Sequence, residues 1–144
     1  MKYPSDMDYE CVPLCNALNA IPGIRTVESC CGHSKTEFMI WFVLHDRSKV
    51  RYLNVVARVF DRRYGGIPGW TCQLDNHDLP KDTPFFLVRS GSFRGAQACE
   101  HSKRIAENIY HHLKHKAFCR AFLGRGPHRL RRRVSSQGTA TCSS

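Results

Sequence analysis

Six side chains with chemical potential fall within the nine-residue stretch "RTVESCCGH": Arg25, Glu28, Ser29, Cys30, Cys31 and His33. A Pro-Gly pair precedes the stretch and the apolar run "FMIWFVL" follows it. Cys30 or Cys31 beside His33 provides a thiol and a base, and Glu28 an orienting carboxylate, the parts of a thiolate nucleophile. Groups this close in sequence rarely reach triad geometry, which usually joins distant segments. Without a nucleophile, Glu28 and His33 remain as an acid/base pair for an enzyme. Without catalysis, Arg25, Ser29, Cys30 and His33 remain as a ligand-gripping set. The plain alternative is a hairpin with a polar tip and one cysteine packed inside.

A second polar cluster is "RSGSFRG", where Arg89, Ser90, Ser92 and Arg94 stand between a strand-like run and a helix-like run. Backbone N–H groups at a helix start hold anions, and arginine adds charge. The segment has neither the lysine and spacing of a P-loop nor the GxGxxG pattern, so phosphate or carboxylate binding competes with an ordinary strand-to-helix turn. If both clusters sit at strand ends on one side of a sheet, they surround a single cleft. His111, His115 and Cys119 recur at four-residue steps, but Lys114 and Lys116 flank them and no HExxH occurs, so a solvated basic face is the reading. The spacing assigns no metal site and names no cofactor.

These groups are carried by a chain of 144 residues, enough for one domain with a real core. Its formal charge of +10 is uneven. Seven Lys/Arg and no acid follow residue 115, leaving 15 basic against 12 acidic residues before it. The tail carries the excess, and the body need not be a nucleic-acid surface throughout. The opening "MKYPSDMDYE" has no apolar core of a signal peptide, and "FMIWFVL" is too short to span a bilayer. A cytoplasmic protein with no membrane partner is expected. Its eight cysteines form no CxxC pair and are expected to be reduced, mostly as small buried hydrophobes.

Asp6 or Asp8 can cap a first helix that begins near Val12, with Val12, Cys15, Leu18 and Ile21 at three-residue steps. "IRTVESC" alternates Ile24, Thr26, Glu28 and Cys30 against Arg25, Val27, Ser29 and Cys31 as a strand. "FMIWFVL" returns as a central strand after "GHSKTE". Asp46 can cap a second helix over "RSKVRYLNVVARVFDRRY", with Val50, Leu53, Val56 and Phe60 inward. "GWTCQLD" and "FFLVRS" are the third and fourth strands. A last helix buries Ala98, Cys99, Ile105, Ala106, Ile109, Tyr110 and Leu113 and runs on to Leu123. The order α-β-β-α-β-β-α predicts an α+β two-layer sandwich, with a mainly antiparallel four-stranded sheet and helices on one face. Residues 1–123 form the domain, and 124–144, basic and then Ser/Thr-rich, a disordered tail.

The first 42 residues, through "CVPLCNALNA", "IPGIRTVESCCGH" and an aromatic strand, resemble a family of small uncharacterised bacteriophage and bacterial proteins. That resemblance implies a phage context and a fold without assigning an activity. Ser29-Cys30-Cys31-Gly32-His33 is also similar to the Ser-Cys-Ser-Gly-Arg segment of the wybutosine-synthesising methyltransferase family. Cys31 stands there for serine and His33 for arginine. This second similarity implies a site related to tRNA or S-adenosylmethionine. The reading is a small binding protein for an anionic small molecule or nucleic acid, such as a nucleotide or nucleic-acid segment. The alternatives are an RNA- or nucleotide-modifying enzyme and a partner-binding module without a ligand.

Overall fold

The structure, a computed structural model, describes residues 8–75 and 83–123, the last eight of these by their backbone alone. The elements follow the expected order: α1 (Val12–Ala20), β1 (Ile24–Cys30), β2 (Met39–Leu44), α2 (Leu53–Val59), β3 (Thr71–Leu74), β4 (Phe85–Arg89) and α3 (Gly95–Leu123). One compact unit comprises Met1–His112 and a second Leu113–Ser144, so the division falls inside α3. The basic tail expected over 124–144 lies outside the described residues, as does Asp6.

The sheet order is β1-β2-β4-β3, and every pairing is antiparallel. Directly opposed residues share a face. One face therefore carries Ile24, Thr26 and Ser29 on β1, Ile40, Phe42 and Leu44 on β2, Phe86 and Val88 on β4, and Cys72 and Leu74 on β3. Asn19 of α1 reaches this face, donating to Thr26 Oγ1 at 2.9 Å and accepting its N–H at 2.8 Å. Leu53, Val56 and Phe60 line a cavity with Cys72, Leu74 and Phe86, so α2 lies against the same face. Phe38, Phe42, Leu14, Leu18, Ile21, Ile40, Ile105 and Ile109 are fully buried. Burying one such side chain contributes roughly 1.5–3 kcal/mol.

Three local expectations are corrected. Strand β1 does not alternate regularly. A bulge between Thr26 and Glu28 inserts one residue, so Ser29 joins Thr26 on the core face while Glu28 and Cys30 turn to the other. The second helix is not continuous either. Arg47–Tyr52 is a 310 turn, α2 proper is short, and a second 310 turn follows at Arg62–Tyr64. The tighter winding rotates the buried line to Tyr52, Val55, Val56 and Val59, and Val50 is left 55% exposed. In α3 the inward stripe is Ala98, His101, Ser102, Ile105, Ala106 and Ile109, with Tyr110 turned out.

The six described cysteines whose state is defined (Cys11, Cys15, Cys30, Cys31, Cys72 and Cys99) are free thiols. Burial pushes Cys15 up to about 11 and Cys72 up to about 12. No helix among the described residues is long and apolar enough to cross a membrane.

Candidate functional site

Both β1 and β4 run antiparallel to β2, so they run parallel to each other and end on the same side. Met39 at the start of β2 pairs with Cys30 at the end of β1 and with Arg89 at the end of β4. The loop after Cys30 and the loop after Arg89 therefore meet. Contact is close: a Cβ added at Gly95 would lie 3.1 Å from Ser34 Oγ. The hairpin loop thus rests on the first residue of α3.

The second loop is held from within. Glu37, in the hairpin connection, forms a two-pronged ion pair with Arg89, Nε–Oε1 being 2.8 Å, and its Oε1 also accepts the Gly91 N–H at 2.9 Å. Ser90 is 0% exposed. Its Oγ accepts the Phe38 N–H at 3.0 Å and donates to the Phe93 carbonyl at 2.8 Å. Phe93 packs edge-on against His101, with ring centres 4.5 Å apart. Arg94 donates to the carbonyls of Gly91 and Phe93. The Arg89 charge is thus met by Glu37 and Ser90 is wholly internal. Both shape the loop.

The other sequence candidates separate. Arg25 opposes Val43 near the far end of β1, roughly 17 Å from Cys30 at strand rise. Ser29 lies on the core face of β1, opposite Ile40. Glu28 is exposed opposite Trp41 on the other face. Ser92 and Arg94 are exposed beside the hairpin loop, joined by Ser34, Lys35 and Thr36, which the sequence reading passed over.

His33 belongs to a different group. Its Nε2 is 3.5 Å from Asp8 Oδ2, and its Nδ1 is 3.8 Å from Cys31 Sγ. Asp8 Oδ2 also accepts the Cys31 N–H at 2.8 Å. That bond, foremost, holds the Asp8 carboxyl below its usual range, against partial burial; the Cys31 thiol and His33 add to it. Asp8 precedes a single 310 turn without capping it by its side chain. Cys31 is pushed up to about 11, chiefly by burial, with Asp8 and Glu10 adding to the rise. A thiol so raised is a poor nucleophile near neutral pH, so the thiolate reading loses its support here.

The Glu37–Arg89 pair gives a stability prediction. Hydrogen bonding from Arg89 lowers the Glu37 carboxyl more than burial raises it. The unfolded chain takes up this proton near pH 4.3 and the folded chain only at lower pH, so the pair's contribution is present above that value. It is lost as pH falls through the lower folded value. Arg89 is partly exposed, so screening limits the pair to about 1 kcal/mol. Urea unfolding of Glu37→Gln should show that loss at pH 7 and a flatter decline below about pH 4.3. An unchanged acid limb would show that Glu37 does not supply it.

No family model, curated protein or solved structure matches this chain.

Proposed function

We propose that the protein binds an anionic, phosphate-bearing ligand, such as a nucleotide or nucleic-acid segment, where the hairpin loop meets the start of α3. The observation that carries this reading is the seat of Ser34 on Gly95. It sets Ser34 against the opening of a long helix with no acidic residue in its first turn, and Lys35, Thr36, Ser92 and Arg94 are exposed on the two loops that meet there. A helix start carries partial positive charge, and with no carboxylate in its first turn that charge is free for a ligand. Lys35 and Arg94 add full charges, and the three hydroxyls add hydrogen bonds. The bonds from Ser90 and Glu37 order the loop in advance, which reduces the entropy lost on binding. A cavity of 440 Å3 between α2 and β3 is lined by apolar groups such as Leu53, Val56, Phe60, Trp70 and Phe86 and suits no phosphate.

The test is calorimetric titration of ATP and of a short single-stranded RNA into wild type, Lys35→Ala and Arg94→Ala. Each substitution removes a charge-assisted contact and should weaken binding roughly tenfold or more. Affinity should fall with added salt if phosphates are neutralised. Equal affinity across the three proteins, or no binding of either ligand, would set this reading aside in favour of a partner-binding module.

A further inference from the structure

We propose that Asp8, Cys31 and His33 form a binding site for one zinc-class divalent cation. They offer one carboxylate oxygen, one sulfur and one imidazole nitrogen, with ligand atoms all within 4.8 Å of one another. These are the three donor types that zinc takes from proteins. At zinc's usual bond lengths, a tetrahedral ion needs donor–donor separations of about 3.3–3.6 Å. His33 Nε2 stands 3.5 Å from Asp8 Oδ2 and Nδ1 stands 3.8 Å from Cys31 Sγ, so the ring must turn to bring one nitrogen within reach of both partners. Only one ring nitrogen ligates, and the imidazole has room to turn, because the His33 side chain is 68% exposed. The same exposure leaves the fourth position open to solvent, the pattern of three protein ligands found in reactive zinc sites.

The backbone turns sharply where the imidazole is carried. His33 (φ 49) and Ser34 (φ 66) both occupy the left-handed region, where residues other than glycine are disfavoured. Asp8 arrives from ahead of α1 to complete the set, 23 positions from Cys31. An Asp8–His33 ion pair alone needs neither the sulfur nor the bent turn. The site lies beside the proposed anion site and uses none of its groups.

The backbone strain supplies a clean test. In His33→Gly the ligand is removed while the left-handed turn becomes easier, so metal binding and folding are pulled in opposite directions. Chelator-treated full-length protein is titrated with Co2+, followed by absorption, and then with Zn2+ in competition. Wild type should bind one Co2+ per chain with a thiolate-to-cobalt charge-transfer band, and Zn2+ should displace it. Removing a bound residue should cost more than losing a supporting contact, which costs about 10–100-fold. His33→Gly and Asp8→Asn should therefore bind at least about 100-fold more weakly. The metal-free His33→Gly protein should keep or raise its thermal midpoint. Cys31→Ser should lose the band, and His111→Ala should behave as wild type. Unchanged Co2+ affinity in His33→Gly, a thiolate band persisting in folded Cys31→Ser, or no saturable binding by wild type would overturn the proposal. Should Cys31→Ser fail to fold, His33→Gly and Asp8→Asn decide it.

Discussion

Trp70→Ala is expected to lower the unfolding free energy by about 4 kcal/mol, as truncation of a buried tryptophan usually costs about 3–5. Trp70 is buried between two parts of the site's support. Its ring lies 5.6 Å from that of Phe38, which leads into β2, and its indole N–H donates to His101 Nδ1 at 3.0 Å. The alanine protein would lose the ring and leave a buried imidazole nitrogen without its donor. Trp70→Phe separates the two effects, keeping most of the ring and losing the N–H, at about 1–3 kcal/mol. It should also change the response to acid. Burial, with Arg104 adding, holds His101 below its ordinary pKa, so the folded state keeps this imidazole neutral. The unfolded chain takes up the proton near pH 6.5 and the folded chain does not, so stability falls as pH drops below about 6.5. Without the indole donor the folded value rises toward normal, and that decline should flatten. Urea denaturation from pH 5 to 8 reads both quantities. A Trp70→Phe protein as stable as wild type, with the same acid decline, would show that the Trp70–His101 bond contributes nothing.

Gly91→Ala is expected to cost about 3 kcal/mol or more, from a left-handed backbone and a clash together. Gly91 has φ +68, and a Cβ there would lie 2.5 Å from the Gly69 carbonyl oxygen, a backbone atom that cannot swing aside. Displacing Gly91 also pulls its N–H from Glu37. Gly65→Ala is the internal control. Gly65 has φ +90, but its nearest neighbour would be Asn108 Nδ2 at 3.9 Å, so only the backbone term applies, about 1–2 kcal/mol. The difference between the two variants in chemical unfolding isolates the clash. Equal losses would mean that the Gly69 segment yields. The Gly91 variant should also bind phosphate ligands more weakly, because the loop carrying Ser92 and Arg94 would shift.

Element order was legible because it rests on signals that span several residues. The β-prone runs of the strands, Pro13 in the first turn of α1, and the glycines before α3 all act locally. The meeting of the two polar loops was left open by the sequence, and the strand order decides it: β2 lies between β1 and β4 and is antiparallel to both, which puts their ends together. What escaped depends on one extra residue or on distant partners. The Val27 bulge leaves composition untouched, yet it reverses the face of every later residue on β1, so Ser29 and Cys30 exchanged places. Arg89 and Ser90 resembled ligand groups because their partners, Glu37 and Phe38, stand 52 positions away. Asp8 resembled a helix cap, and nothing local marks its carboxylate as bound to the Cys31 N–H. The phase of α2 was lost to the 310 turn before it, since a tripled period and a 3.6-residue period diverge within two turns.

The bulge has a further effect on how these molecules behave toward one another. Strand β1 is an outer strand, and among the described residues its outer edge pairs with no further strand, although the Thr26 N–H is taken by Asn19. An irregularity midway along it breaks the even ladder such pairing needs, and Arg25 and Glu28 place charge on either side of the break. Strand β3, on the opposite margin, is only four residues long. Neither margin presents a long regular template. The same extra residue that turns Ser29 inward therefore resists edge-to-edge growth into multi-chain sheets, although Val27 at its centre is β-branched and 46% exposed.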